Sequence, residues 1–338
     1  MSDLRALAVS VIIPVYNGRQ TLPACLEALQ RQTHPPTEVI VVDDGSTDDT
    51  AAIAAQFGVM VLAQAKAGPA AARNRGAQAA TGDILLFTDA DCVPATDWVE
   101  RMLAPFANPT VVGAKGEYHT RQRELVARFV QQEYQDRYDR MAARSQIDFV
   151  DTYSAAYRRY VFLAAGGFDR TFPTASVEDQ EFSFRLAEQG YRLVYVPGAV
   201  VYHRHDRTVG DYVRRKYRIG FWKALVTRRY PAKLVHDSHT PQTLKAQMGL
   251  AALGGVLLLG GGVTGRHLAL AGGWLAWGLL LLSGLRFYGK ILRRDRPVLA
   301  VAPALLFARA WALGAGFFLG NLRFTVWPWL KTHENDKL

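Results

Sequence analysis

Short apolar runs separated by polar turns open the chain, and long uncharged runs close it. Val9-Ser10-Val11-Ile12-Ile13-Pro14-Val15, Glu38 to Val42, Val59 to Ala63 and Ile84 to Thr88 have the composition of buried strands. Between them lie three helical segments: Thr21 to Gln32, with Leu22, Leu26 and Leu29 on one face; about Asp49 to Phe57, capped by Thr47 or Asp48; and Pro69 to Ala80. Strand alternating with helix at this spacing predicts βαβ units, hence an α/β fold with a mostly parallel sheet. In such sheets ligands bind beyond the carboxyl ends of the strands. Three of those ends carry polar clusters: Pro14-Val15-Tyr16-Asn17, Asp43-Asp44-Gly45-Ser46 and Asp89-Ala90-Asp91.

The pattern changes in the last third. Met248 to Gly265, Leu268 to Leu285 and Val298 to Gly320 are nearly uncharged, and each approaches the roughly 20 residues that span a hydrocarbon core of about 30 Å. Glycines such as Gly254, Gly255 and Gly260 to Gly262 would weaken these helices in water but suit close packing in a membrane. Three α-helical transmembrane segments are predicted, with Arg309 in the third requiring a partner. The expected organisation is an α/β domain over 1–206, basic aromatic interfacial helices over 207–245, membrane helices over 246–322 and a tail over 323–338.

Charge fixes an orientation. Arg286, Lys290, Arg293, Arg294 and Arg296 lie between the second and third apolar runs, against Arg266 and His267 between the first two. The positive-inside rule places the richer loop, and with it the N-terminal domain, in the cytoplasm, and three spans then put the C-terminus outside. Met1 to Ser10 is too short and polar for a signal peptide. Only Cys25 and Cys92 are present, as expected in a reducing compartment. The net charge of +10 over 338 residues is read as attraction to anionic membrane lipids, since no nucleic-acid motif accompanies it.

Asp89 and Asp91 follow directly on a buried strand, where two anions repel unless a cation sits between them. A hard divalent ion takes few carboxylates and leaves positions for water and phosphate oxygens, which points to a diphosphate-bearing substrate. A carboxylate at Asp43 or Asp44 can accept a hydrogen bond from a base or ribose, and Pro14 and Tyr16 can pack on the ring, with Asn17 beside them. Lys66, Arg73 and Asn74 lie near the start of the next helix, where Arg73 can contact a diphosphate or the carboxylates themselves.

Val11-Ile12-Ile13-Pro14-Val15-Tyr16-Asn17, Val41 to Asp48, Ala72-Arg73-Asn74-Arg75-Gly76, Asp89-Ala90-Asp91 and Glu178-Asp179 together resemble the ordered signature of family 2 glycosyltransferases with the GT-A fold, over roughly residues 8–206. The resemblance implies a nucleotide-sugar-binding α/β domain and inverting glycosyl transfer. It further implies Mg2+ or Mn2+ at Asp89 and Asp91, with Asp91 the more direct ligand, and Asp179 as general base with Glu178 orienting base or acceptor. By the same resemblance Gly166-Gly167-Phe168-Asp169 shapes the donor and acceptor pocket, and His203 or His205, after the last strand, can complete the metal site, His203 ranking first by position. The Glu178-Asp179 pair is expected just before a helix starting near Gln180.

Asp211 to Tyr230 interleaves arginines and lysines with Tyr212, Tyr217, Phe221 and Trp222, a composition suited to the membrane interface. Arg214, Arg215, Lys216 and Tyr217 are candidates for a donor diphosphate or an acceptor phosphate. Processive members of the resembled family carry Gln-x-x-Arg-Trp here; this chain has Val213, Lys216 and Tyr217 in those places, against a polymer synthase. The expectation is transfer of one sugar from a UDP- or GDP-linked donor to a lipid-linked or membrane-proximal glycan acceptor in cell-envelope glycan synthesis, at the cytoplasmic face of the inner membrane. The alternatives are a polyprenyl-phosphate glycosyltransferase, a processive synthase, a nucleotidyltransferase and a non-catalytic nucleotide-sugar or lipid-binding membrane protein. Tyr118 to Ser145 reads as a polar amphipathic helix, either lining the acceptor site or merely solvated.

Overall fold

The computed structural model describes residues 7–172, 177–234, 237–238 and 240–326; most of the expected tail lies outside them. The chain divides into two compact units, Met1–Arg121 with Arg137–Arg204, and Gln122–Asp136 with His205–Leu338. Residues 122–136 thus group with the second unit.

In the first unit β1 (Val9–Val15), β2 (Glu38–Asp43), β3 (Met60–Ala63) and β4 (Ile84–Phe87) run parallel, linked by α1 (Leu22–Gln30), α2 (Thr50–Ala55) and α3 (Pro69–Ala79). There follow β5 (Val93–Pro94), α4 (Trp98–Leu103), β6 (Val111–His119), α5 (Leu125–Ala142), β7 (Ala155–Arg158), α6 (Arg159–Ala164), α7 (Glu178–Glu188) and β8 (Arg192–Tyr202). Among the described residues the sheet has eight strands in the order β3-β2-β1-β4-β7-β6-β8-β5. β7 is antiparallel to β4 and β6, and β5 to β8, so the parallel half that the periodicity predicts joins a mixed half.

The central strands are buried on both faces, which is why they read as continuous apolar runs rather than alternating ones. Ile12, Ile40, Val42, Leu85 and Phe87 are fully buried, each worth about 1.5–3 kcal/mol of hydrophobic stabilisation. Gly76 lets α3 lie close on the sheet, because a side chain there would strike Ile12 and Val42. One core feature sets the site's dimensions. Phe87, Phe162, Phe168 and Phe182 pack with ring centroids 5.0–5.5 Å apart. Phe87 lies two residues before Asp89 and Phe182 three after Asp179, so the aromatic cluster fixes the strand end bearing one carboxylate against the helix bearing the other.

The second unit holds α8 (Val209–Arg229), α9 (Gln242–Thr264), α10 (His267–Leu282), α11 (Leu285–Arg294) and α12 (Ala302–Asn321), with the first turns of α5. α9 and α10 pair as a hairpin, with Gly254 against the Trp277 ring and Gly273 against Leu258. Among the described residues, three helical stretches are long and apolar enough to cross a membrane: Gln242–Thr264, His267–Arg294 and Ala302–Thr325. Arg309 has the partners that its position demands, Glu133 at 2.7 Å and Gln247 at 2.9 Å. The segment expected to be one helix from Tyr118 instead ends β6 at His119 and begins α5 at Leu125.

Candidate active site

The site is built at the carboxyl ends of β1, β2 and β4. Asn17 takes a left-handed conformation (φ 52°), donates its N–H to Ser46 Oγ at 2.9 Å and accepts from Thr47 N at 2.8 Å, tying two strand ends together. The adjacent acidic pair divides its tasks. Asp43 accepts from Ser46 N at 2.9 Å and closes its own turn. Asp44 accepts from Gln64 Nε2 (2.7 Å) and from Ala67 N and Gly68 N (2.8 Å each), and it lines a cleft of about 430 Å³. Pro14, Tyr16, Asn17, Arg73, Asp89, Asp91 and His203 line the same cleft.

Arg73, on α3, is 2% exposed; it donates to Asp89 Oδ1 at 2.6 Å and to Glu178 Oε1 at 3.1 Å. Of the two roles open to it in the sequence, the structure shows contact with carboxylates. Burial works against its charge, but Asp89 and Glu178 more than offset that and raise its pKa. It joins the strand end that bears Asp89 to the first turn of α7, across 105 residues of sequence.

Asp91 lies beside His203, with Oδ2 3.1 Å from Nε2, and the imidazole stacks on Tyr118 at 4.6 Å. The protein packed around Asp91 pushes its carboxyl up, the His203 hydrogen bond and charge pull it down, and the net direction is down. Donor atoms of Asp89, Asp91 and Cys92 lie within 4.8 Å of one another. Burial pushes the Cys92 thiol well up, and a soft sulfur donor suits a hard divalent ion less well than the carboxylate oxygens do. What remains is a hard oxygen set with one imidazole, a set that fits Mg2+ or Mn2+. His205 belongs to the second unit, where it is buried, stacks on Tyr134 at 5.4 Å and bonds Gln131 at 3.1 Å.

Glu178 and Asp179 do not precede their helix, as expected; α7 begins at Glu178, so both sit in its first turn. That position favours anions. Asp179 nevertheless rises to about 7, because burial and then the Glu178 charge outweigh Arg73 and the Gln180 N–H that donates to it at 2.7 Å. A carboxylate poised there suits proton abstraction near neutral pH.

Other candidates have different work. Both amide atoms of Asn74 are engaged with the Phe168 backbone, at 2.7 and 2.8 Å, so it clamps α3 to the Gly166-Gly167-Phe168 turn and is not among the cleft's lining residues. Lys66 Nζ lies 3.5 Å from the centre of the Tyr16 ring, a cation–π contact beside the cleft that Tyr16 lines. In the second unit Lys216 is paired with Glu133 at 2.8 Å and Arg215 with Asp206 at 2.7 Å, because cations this deep need partners; neither is available as a loose phosphate contact. Arg214 stays exposed and pairs with Asp211 at 3.1 Å, and Tyr217 lines an apolar groove of its own unit. Sequence reasoning missed Lys115, buried on β6, which is ion-paired with Asp151 and donates to Tyr153 Oη at 2.9 Å. Its positive charge favours the ionised form of Asp179. A single lysine within an apolar strand carries no signal that would have revealed this.

Residues 10–164 match the family described as glycosyl transferase family 2. A pre-mycofactocin glycosyltransferase of Mycobacterium tuberculosis is 33% identical over 238 residues, covering 67% of this chain and 48% of the relative. The chain thus spans about half the length of that relative. Glycosyltransferase AglE of Haloferax volcanii is 31% identical over 225 residues, covering 63% of this chain and 71% of AglE. Among solved structures, the mannosyltransferase PcManGT from Pyrobaculum calidifontis, in complex with GDP-Man and Mn2+, matches with a TM-score of 0.57 at 21% identity, over 94% of this chain and 88% of that one. That likeness establishes the shared fold.

Proposed function

We propose that this chain, which belongs to glycosyl transferase family 2, is a metal-dependent inverting enzyme that moves one sugar from a nucleotide-sugar donor to a lipid-linked or membrane-proximal glycan acceptor. One observation carries the reading: Arg73 joins the cleft carboxylate Asp89 to the helix turn that bears Asp179. A donor-side anion pair and a base poised near neutrality are thereby held in one rigid frame. The GDP-Man and Mn2+ in the PcManGT complex fit the same assignment of donor and metal.

Asp44, Tyr16 and Pro14 receive the nucleoside, with Lys66 held over the Tyr16 ring. Asp91, with Asp89 and His203 alongside, would hold Mg2+ or Mn2+, whose chemistry is to offset charge on a departing nucleoside diphosphate. Asp179 takes the proton of the acceptor hydroxyl as that oxygen attacks the anomeric carbon opposite the leaving group. Glu178, fixed by Arg73, orients the first turn of α7. The long apolar helices support a reaction at a membrane, and by the positive-inside rule the cations of α11 support a catalytic unit on its cytoplasmic side.

The test is transfer of radiolabel from nucleotide sugars to lipid extract or glycan in membranes carrying wild type or Asp179→Asn. Label in product with wild type and its loss in the variant are expected. Equal labelling by both proteins, or label in neither lipid nor glycan for any donor, would overturn the reading. Acid-labile lipid product would identify a polyprenyl-phosphate acceptor, and long polymer a synthase.

A further inference from the structure

α8 and α12 lie side by side in the same direction over most of their lengths. Near the start, Val213 and Tyr217 share an apolar groove with Phe307, Trp311 and Ala312. In the middle Gly220 meets Leu313, Gly316 meets Tyr217, and Gly320 meets Phe221; a methyl group at any of these glycines would collide with the carbonyl oxygen opposite. At the end Arg228 donates to Phe324 O and, at 2.7 Å, to Thr325 Oγ1. The register runs from 213 to 228 on one helix, about 23 Å at 1.5 Å per residue. Wherever α12 goes, α8 goes with it.

α8 is not a membrane-spanning sequence, for it carries Arg214, Arg215, Lys216, Arg218, Lys223, Arg228 and Arg229. Were α12 to cross the bilayer, exposed Arg218 and half-buried Lys223 would stand near mid-depth, a costly place for a cation. Arg309 of α12 is itself held in a polar knot with Glu133 of α5 and Gln247 of α9, and Lys216 of α8 pairs with the same glutamate. Near its end α12 exposes Phe318 and Leu319, and the turn after it exposes Leu322, a short apolar stripe at helical spacing. Taken as a pair, the two helices have a cationic side and an apolar side, the profile of an element lying in the interface plane.

The α9–α10 hairpin is different. No Asp, Glu, Lys or Arg occurs between Lys245 and Arg266, or between His267 and Arg286. Its exposed surface is apolar on both helices, with Val263 87% and Leu268 91% exposed near the tip. The cations of α11 follow the end of α10.

We propose that only α9 and α10 cross the bilayer, and that the α8–α12 pair lies in the plane of the cytoplasmic interface, its arginines on anionic headgroups and its stripe on the acyl chains. The chain then returns to the cytoplasm after α10, in place of the external C-terminus that three crossings require. This rests on the membrane reading above and not on the chemistry of sugar transfer.

Cys25 and Cys92 are buried, so single added cysteines report their own side of the membrane. Full-length Arg266→Cys and Leu338→Cys are treated with a membrane-impermeant maleimide in spheroplasts and in inverted vesicles, with Thr264→Cys as a second tip position. Labelling of both tip variants in spheroplasts, and of Leu338→Cys in inverted vesicles only, is expected. Leu338→Cys labelled in spheroplasts would show that α12 crosses. Tip variants labelled only in inverted vesicles would show that the hairpin does not. Recovery of the protein in the soluble fraction would remove the membrane reading altogether. Transfer activity, measured on the same membranes, has no bearing on which side is labelled, so a failed sugar-transfer reading stays distinguishable from a failed topology.

Discussion

Each unit encloses a buried ionic knot, and the two knots have opposite sign. In the first, one cation, Arg73, lies between Asp89 and Glu178, with Asp91 and Asp179 beside them. In the second, one anion, Glu133, lies between Lys216 at 2.8 Å and Arg309 at 2.7 Å. Both obey the same rule, that a buried charge must be paired. They differ in how the excess is settled. The excess negative charge of the first borders an open cleft, where it leaves carboxylate oxygens for a cation, while burial and then the Glu178 charge raise Asp179 to about 7. The excess positive charge of the second is closed in by Tyr212 and Gln247, and burial drives Lys216 down to about 8 against the pull of Glu133. On the proposed reading, the unbalanced knot that opens on a cleft does chemistry and the closed one holds helices together.

That contrast can be broken at either end. The largest effect is expected at the open knot: Asp179→Asn should lower the transfer rate by roughly 10²–10⁴-fold, with the thermal unfolding midpoint little changed. At the closed knot the outcome should reverse. Glu133→Ala leaves Lys216 and Arg309 facing each other without a counter-charge and should cost about 3–5 kcal/mol of stability, read by denaturant unfolding in detergent, while Glu133→Gln, which keeps hydrogen bonds, should cost less. Next comes pH. Transfer should fall roughly tenfold per unit as pH drops below about 7, because Asp179 must be ionised to act. The sign for stability is opposite: the folded state holds that proton more tightly than the unfolded chain, so its contribution is complete below the ordinary value of 3.8 and is lost as pH rises through about 7. The smallest change should follow Gln247→Ala, which removes one hydrogen bond to Arg309 and should cost about 1.5–3 kcal/mol, the range for a bond to a charged group.

The first unit was largely legible because its information is local. The four parallel strands and their polar ends could be found within two residues, since each is an apolar run with its functional residues directly attached. Arg73 was legible only as a choice between two partners, because its contact with Glu178 spans 105 residues. The choice between Asp43 and Asp44 was not legible, for it depends on which one the Gln64 to Gly68 loop folds over. Asn74 looked like a ligand because it neighbours Arg73, but one residue along a helix turns the side chain by about 100°, here onto Phe168. The second unit was legible in composition and illegible in pairing. Arg309 reads as a membrane cation in need of a partner, Lys216 as a phosphate candidate and Glu133 as part of a polar helix, and nothing local says that the three converge. α12 satisfies every criterion of length and apolarity for a span; the glycine-lined contact with a basic helix is visible only in three dimensions.

The most direct measurement is nucleotide binding by the purified full-length protein, with UDP and GDP each titrated by calorimetry in Mn2+ and in chelator, for wild type and Asp91→Ala. If the open knot is a metal and diphosphate site, Mn2+ should tighten binding of one nucleotide to wild type, and chelator or Asp91→Ala should abolish that gain. Nucleotide affinity that is the same in Mn2+, in chelator and in the variant would overturn it.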